Sequence, residues 1–205
     1  MASIYALKPR FQALLRPLTR ALAQRGISAN QITVLALVMS MLAGACIALW
    51  PHAAWPLLMV PAILFVRMAL NAIDGMLARE HNLKSALGGL LNEVTDVLSD
   101  AALYLPFGLL PGVSLLWVSV VVILSVMTEV VGLAAVQIGA TRRYDGPMGK
   151  SDRAFVFGCL AVVMGLGVPA GAWLNVMWLV LCVLLCWTML NRMKQALLEV
   201  SQAHV

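Results

Sequence analysis

Charged side chains are scarce in this chain. They make up 11% of the 205 residues, against 62% hydrophobic residues and a mean hydropathy of +0.92. Such a composition excludes a water-soluble domain. Six spans of about 20 residues would use about 120 residues and leave short loops. The composition therefore predicts one compact all-α integral membrane domain covering residues 1–205. The net charge of +5 fits the basic loops of membrane proteins, so we expect no nucleic-acid partner.

Disulfides, thiolate metal sites, a secretory signal and internal repeats are also missing from the pattern. Cys46, Cys159, Cys182 and Cys186 lie in apolar runs without neighbouring histidines, which is typical of small buried hydrophobic residues. Residues 1–30 are basic throughout and contain no contiguous apolar core, so they do not predict a signal peptide. Without repeats or a change in composition, we expect a single domain.

Proline and glycine divide the apolar sequence into helices. An interfacial amphipathic helix is predicted at about 8–25, with apolar residues on one side and arginines elsewhere. Asn30 is the expected N-cap of the next helix. The six predicted transmembrane helices lie near residues 31–50, 54–79, 86–109, 112–138, 152–168 and 171–191.

Basic residues predict the topology. Thirteen of the fourteen lysines and arginines precede the first span, join spans two and three or four and five, or follow the sixth span. The turns at 50–54, 109–113 and 165–171 contain neither lysine nor arginine. Because cytoplasmic loops are enriched in these residues, both termini are expected in the cytoplasm. The short loops suit a bacterial inner membrane.

Arg67 is the exception, because it lies inside the second predicted span. Arg67, Asn71, Asp74 and Ala78 follow +4, +3, +4 spacing and share one helix face. An arginine at that depth is expected to face other helices rather than lipid. Two interpretations stay open: an ion pair with Glu129 or Asp100, and a contact with a phosphate group.

Carboxylates concentrate in the second and third spans. A charge at the centre of a transmembrane helix costs roughly 2.5–3.5 kcal/mol, so several carboxylates together predict a bound cation. The ligand candidates are carboxylate and amide oxygens, which suit Mg²⁺, Mn²⁺ or Ca²⁺ rather than zinc. Two such ions bridged by carboxylates can hold a pyrophosphate. The residues concerned are Asn71, Asp74, Gly75, Ala78, Arg79, Gly88, Asn92, Glu93, Asp96 and Asp100.

The spacing of these residues resembles the signature of the CDP-alcohol phosphatidyltransferase family. That signature reads D-x2-D-G-x2-A-R-x8-G-x3-D-x3-D, and residues 71–96 read N-x2-D-G-x2-A-R-x8-G-x3-N-x3-D. The resemblance implies transfer of a phosphatidyl group from a CDP-linked lipid, CDP-diacylglycerol above all, to an alcohol, with release of CMP. It further implies phospholipid biosynthesis, a divalent metal cofactor (Mg²⁺ or Mn²⁺) and a homodimer.

Residue roles follow from the same resemblance. It implies that Asp96 binds metal and serves as the general base on the acceptor hydroxyl, and that Asp74 binds metal beside the CDP diphosphate. Asn71 and Asn92 occupy metal-binding positions at which the family has aspartates, and Glu93 would return one of the two negative charges that these asparagines remove. Gly75, Ala78, Arg79 and Thr33 would shape the nucleotide pocket, and Lys150 and Arg153 would hold an anion on the acceptor.

Two departures leave alternatives open. Asn71 and Asn92 replace family aspartates and remove two negative charges, of which Glu93 and Asp100 could return two. The chain is therefore expected to be an active enzyme with an altered metal site, with a catalytically silent lipid- or nucleotide-binding relative as the alternative. A transporter with an intramembrane ion path is a third hypothesis. The acceptor stays open, with a phosphorylated alcohol such as glycerol 3-phosphate favoured.

Overall fold

Each helix predicted from the sequence has a counterpart in the computed structural model, which describes residues 4–81 and 83–203. Those residues contain helices and no strands, so the all-α prediction is confirmed. The seven α-helices are α1 (Ile4–Gln24), α2 (Ala29–Leu49), α3 (Ala54–Glu80), α4 (Ala86–Tyr104), α5 (Leu115–Ala134), α6 (Lys150–Gly165) and α7 (Ala172–Ala203), and 3-10 helices follow α4 at Leu105–Leu109 and α5 at Ala135–Ile138.

The start of α2 corrects one prediction. Asn30 is not the N-cap, because α2 begins at Ala29. Ser28 Oγ accepts a hydrogen bond from Gln31 N at 3.3 Å, and Gln31 Oε1 accepts one from Ser28 N at 2.9 Å. This reciprocal pair is a capping box. It leaves the Asn30 side chain available for packing.

Four helices within the described residues are long and apolar enough to cross a membrane: α2, α3, α5 with its 3-10 extension, and α7. The other two predicted spans do not meet that standard. α6 has only 16 residues, and α4 carries Glu93, Asp96 and Asp100 within 19 residues. Crossing of the bilayer by α4 and α6 therefore stays a prediction.

Among the described residues, the chain falls into two compact units. The first comprises the residues up to Ala43 with Ala62–Ala102. Its core joins Ala29 and Ile32 of α2 to Ile73 and Leu77 of α3, with Leu15 and Leu22 of α1 packed against them. The other apolar positions of α1 include Leu14, which is 75% exposed. α1 therefore packs some of its apolar residues against the core and exposes others, which suits the predicted position at the membrane interface.

The second unit comprises Gly44–Pro61 and the residues from Leu103 onward. Its centre is an aromatic cluster around Phe157 of α6. Tyr104 stacks on Phe157 with ring centroids 4.0 Å apart, and Phe107 meets the same ring edge-on at 5.3 Å. Trp178 of α7 completes the cluster at 6.0 Å. These rings anchor α6 and its first turn, which carries Lys150 and Arg153.

Candidate functional site

A buried ion pair joins α3 to α4 in the first unit. Arg67 Nη2 lies 2.6 Å from Asp100 Oδ1, and the two side chains are 4% and 8% exposed. The same nitrogen donates to the backbone carbonyl of Asp96 at 3.2 Å. The ion-pair interpretation of Arg67 is therefore confirmed with Asp100. The return of a charge by Asp100 to the cation site stays a prediction, and its pairing with Arg67 weakens it.

The next turn of the same helices brings two motif residues together. Asn71 Nδ2 donates to Asp96 Oδ1 at 3.2 Å. Asn71 lies four residues after Arg67, and Asp96 lies four residues before Asp100, so α3 and α4 run antiparallel. We call each pair of residues at equal height on α3 and α4 a rung. Continued by one turn, this register places Asp74 on a rung with Glu93.

Asp74 is held from a third helix. Its carboxylate is buried, with 6% of the residue exposed, and Thr33 Oγ1 of α2 lies 2.9 Å from Asp74 Oδ2. The Thr33 oxygen is also 3.1 Å from the carbonyl of Ala29, one turn earlier in α2. The hydroxyl therefore fixes one oxygen of Asp74. The resemblance implied only that Thr33 lies near the nucleotide pocket, and its contact with Asp74 is a finding of the structure.

The motif glycines allow close packing of polar side chains. A Cβ at Gly75 would lie 3.1 Å from Arg79 Nη2, so the exposed Arg79 folds back across Gly75. A Cβ at Gly88 would lie 2.8 Å from Asn30 Oδ1, so a larger residue there would displace Asn30. Ala78 is half-buried and packs against the core of the first unit.

The oxygen atoms of this candidate site suit a hard cation, although the site carries few negative charges. Among residues 4–81 and 83–203, no three His, Cys, Asp or Glu side chains group closely enough to hold a metal ion. Asn92 and Glu93 are half-buried on α4, about one turn before Asp96. All candidate ligands are oxygens, so the chemistry fits Mg²⁺ or Mn²⁺. The low charge follows from the two asparagines.

Lys150 and Arg153 belong to the second unit, where Arg153 is 3% exposed. Arg153 Nη2 donates to Glu129 Oε1 at 3.1 Å, and Arg153 Nη1 donates to Thr128 Oγ1 at 3.2 Å. Arg142 Nη2 and Arg192 Nη1 lie 3.3 and 3.4 Å from Glu129 Oε2. We call Arg142, Arg153 and Arg192 with Glu129 the arginine cluster.

Sequence reasoning missed Arg142 and Arg192 as members of this cluster. Both were counted only as positive charges of cytoplasmic segments, and no spacing rule links the loop before α6 to the middle of α7. Arg192 is 2% exposed. It also donates to the carbonyls of Thr128 and Asp145.

The loop that carries Arg142 is fixed by its neighbour Arg143. Arg143 binds Asp145 through Nε at 2.8 Å and Glu199 of α7 through Nη1 at 2.8 Å. The hydrogen bond with Asp145 raises the pKa of Arg143, so this residue stays charged. A Cβ at Gly132 would lie 2.6 Å from the Arg143 carbonyl, so glycine permits this close approach.

These features define an all-helical protein with membrane-length helices. Two motif aspartates lie on its helices α3 and α4, and each is hydrogen-bonded by a residue of a neighbouring helix. A sequence profile described as CDP-alcohol phosphatidyltransferase matches residues 27–188, which include the whole motif. The chain therefore belongs to the CDP-alcohol phosphatidyltransferase family.

Individual relatives agree with this assignment. The chain is 44% identical over 198 residues to the inner membrane protein YnbA of Escherichia coli, covering 96% of this chain and 97% of YnbA. It is 32% identical over 111 residues to an archaetidylinositol phosphate synthase of Pyrococcus horikoshii, covering 54% of this chain and 55% of that protein.

The fold is shared with solved structures. Phosphatidylinositol phosphate synthase PgsA1 of Mycobacterium tuberculosis with CDP-DAG bound superposes with a TM-score of 0.72 at 19% identity, covering 88% of this chain and 92% of PgsA1. PgsA1 in complex with manganese and citrate gives a TM-score of 0.71 at 19% identity, covering 88% of this chain and 87% of that one.

Proposed function

We propose that this chain is an inner-membrane transferase that moves a phosphatidyl group from CDP-diacylglycerol to a phosphorylated alcohol and releases CMP. The observation that carries the proposal is the arrangement of the two motif aspartates. Thr33 Oγ1 lies 2.9 Å from Asp74 Oδ2, and Asn71 Nδ2 donates to Asp96 Oδ1 at 3.2 Å. Both aspartates keep their positions in the family signature, which lies within the residues 27–188 that match the family profile.

The relatives support the donor and the location. One PgsA1 structure contains CDP-DAG, and another contains manganese, so a CDP-linked lipid and a divalent metal suit this fold. YnbA, which aligns along nearly its entire length, is named as an inner membrane protein. The predicted cytoplasmic termini and the homodimer belong to the same proposal.

The reaction assigns a role to each held group. Asp96 accepts the proton of the acceptor hydroxyl through its carboxylate while Asn71 fixes Oδ1. The acceptor oxygen forms a bond to the β-phosphorus of the CDP-lipid, and the bond from that phosphorus to the CMP phosphate breaks. Asp74, with Asn71, Asn92 and Glu93, would hold a divalent ion, which when bound neutralises the diphosphate charge. Gly75, Ala78 and Arg79 would line the nucleotide pocket.

The arginine cluster supports a phosphorylated acceptor. The guanidinium groups of Arg142, Arg153 and Arg192 each lie within 3.4 Å of the carboxylate of Glu129, so cationic donors are concentrated there. A phosphomonoester carries nearly two negative charges at neutral pH, and arginine forks match its oxygens. Lys150 lies in the same first turn of α6 as Arg153 and would add a further cation.

One observation favours a second candidate, the catalytically silent relative. The described residues contain no group of three acidic or other metal-ligating side chains, and Asn71 removes a charge beside Asp96. The transport hypothesis has lost support. Arg67 and Asp100 neutralise each other, and Glu129 is bound by arginines, so these charges do not require an ion path.

The decisive test is CMP release by the purified protein from CDP-diacylglycerol in detergent with Mg²⁺ or Mn²⁺. Matched acceptor pairs would be compared: glycerol 3-phosphate with glycerol, and inositol phosphate with inositol. We expect metal-dependent CMP release with a phosphorylated member and at least a tenfold lower rate with its partner. Metal-dependent CDP-lipid binding without CMP release would identify the silent relative. Absence of both would overturn the proposal.

A further inference from the structure

The loop that joins the 3-10 helix after α5 to α6 lies along α7 and is bound to it at three positions. Met148 N donates to Thr188 Oγ1 at 2.9 Å, and Arg192 Nε donates to the carbonyl of Asp145 at 3.3 Å. The third position is Glu199, near the end of α7. Thr188, Arg192 and Glu199 are four and seven residues apart, so they share one face of the helix. The final turns of α7 therefore hold the loop in place.

Glu199 accepts three hydrogen bonds from this loop. Its Oε1 accepts from Thr141 N at 2.9 Å, and its Oε2 accepts from Thr141 Oγ1 at 2.9 Å and from Arg143 Nη1 at 2.8 Å. Hydrogen bonds in which a partner is ionised are the stronger ones in proteins. Because Thr141 and Arg143 flank Arg142, the carboxylate of Glu199 fixes the chain on both sides of Arg142.

Arg142 is the most exposed member of the arginine cluster. Its side chain is 22% exposed, against 3% for Arg153 and 2% for Arg192. Its Nη2 donates to Glu129 Oε2 at 3.3 Å, and its Nη1 donates to the hydroxyl of Tyr144, in the same loop, at 2.9 Å. An anion that arrives from solvent therefore meets Arg142 before the other two arginines, and the loop determines where this guanidinium group lies.

We propose that Glu199 is a positioning residue for the phosphorylated acceptor: it holds the loop on α7 and so keeps Arg142 where it binds the acceptor phosphate. The identity of this ligand rests on the proposed function. As a charge alone, Glu199 would act in the opposite direction, because a carboxylate repels a phosphate. The sign of its effect on phosphate affinity therefore separates positioning from simple electrostatics.

The test measures binding of inorganic phosphate to the purified protein in detergent by titration calorimetry. Glu199→Gln should weaken phosphate binding by about fivefold or more, since it replaces charge-assisted hydrogen bonds that hold the loop. The matched control is Glu80→Gln, which also removes a carboxylate bound to an arginine on another helix, Arg16 of α1, and should leave the affinity unchanged. Unchanged or tighter binding in Glu199→Gln, or no phosphate binding by the wild type, would overturn the inference.

A double-mutant cycle shows whether Glu199 acts through Arg142. Arg142→Gln should also weaken phosphate binding, and adding Glu199→Gln to it should cause little further loss, because the effects of coupled residues do not add. Amide hydrogen exchange in Glu199→Gln should rise in residues 140–145 and stay at the wild-type level in α5. Additive effects of the two substitutions, or faster exchange throughout the protein, would contradict a positioning role.

Turnover distinguishes failure of this inference from failure of the proposed function. Phosphate binding that depends on Glu199, without CMP release from any acceptor, would refute the proposed function and leave the inference standing. CMP release with a phosphorylated acceptor whose KM is the same in the wild type and Glu199→Gln would do the reverse. With both correct, Glu199→Gln should raise the KM of the phosphorylated acceptor and leave the KM of the CDP-lipid unchanged.

Discussion

Three polar contacts stabilise the motif residues in an apolar environment: Thr33 with Asp74, Asn71 with Asp96, and Arg67 with Asp100. A buried polar group is costly unless it is hydrogen-bonded, and more so when it is charged. Each aspartate of the site therefore has a partner on a neighbouring helix. The partners also fix the rotamers of the aspartates, which a positioned catalytic group requires.

Asp96 is the proposed general base. Asp96→Asn keeps the size of the side chain and removes the proton acceptor. General bases contribute on the order of 10²–10⁴ to rate, so kcat for CMP release should fall by about that factor. Affinity for the CDP-lipid, measured by titration calorimetry, should change less than threefold. Full turnover in a correctly inserted variant would exclude Asp96 as the base.

The sequence predicted only part of the contacts among these residues, and their roles in a site stay predictions. The cost of a buried arginine left Asp100 and Glu129 as partners of Arg67, of which the structure shows Asp100, whereas the contact of Thr33 with Asp74 was not predicted. The bond between Asn71 and Asp96 did not follow, because an asparagine can donate or accept and the sequence does not distinguish the two. Arg142 and Arg192 were missed because their partners are distant in sequence.

At the scale of elements, Arg67 sets the register of α3 against α4. It bridges the carboxylate of Asp100 and the carbonyl of Asp96, one turn apart on α4. A one-turn slip of either helix would separate Asn71 from Asp96 as well. The ion pair therefore helps to set the position of Asn71 relative to Asp96.

Arg67→Ala should destabilise the protein. It leaves the buried carboxylate of Asp100 without a counter-ion, which typically costs about 3–5 kcal/mol. The loss would be measured as a lower midpoint of thermal aggregation in detergent. Substrate affinity at permissive temperature should be nearly normal. The double variant Arg67→Met with Asp100→Leu should recover much of the stability. A stable Arg67→Ala protein that binds the CDP-lipid weakly would instead indicate that Arg67 contacts a phosphate group.

Helix positions were predictable from the sequence, whereas helix ends were less so. Apolar runs and proline breaks located every helix to within a few residues at most ends. The last helix was predicted to stop near residue 191, but α7 continues to Ala203 because Glu199 receives hydrogen bonds from Thr141 and Arg143. Such long-range contacts are invisible to local periodicity. Asn30 was misassigned for a local reason, since Ser28 and Gln31 cap each other one residue earlier than expected.

At the scale of the whole molecule, the number of membrane crossings depends on α4 and α6. The three carboxylates of α4 lower its hydropathy, so composition alone does not mark it as a span. α6, with 16 residues, is about 24 Å long, against a hydrocarbon core of about 30 Å. Local bilayer thinning accommodates such a mismatch at fractions of a kcal/mol per Å. Six crossings and four crossings both leave the termini on the same side.

The loop at 139–149 distinguishes the two topologies. With six crossings it is cytoplasmic, and with four, omitting α4 and α6, it is external. Arg142, Arg143, Lys150 and Arg153 would then lie outside, against the bias of basic residues towards the cytoplasm.

We therefore expect Ser151→Cys, in a background with the four native cysteines replaced, to resist a membrane-impermeant maleimide in intact cells and to react after permeabilisation. His52→Cys, in the turn between α2 and α3 that is external in both topologies, should react in intact cells. Labelling of Ser151→Cys without permeabilisation would establish four crossings and place the arginine cluster on the side away from a cytoplasmic phosphorylated acceptor.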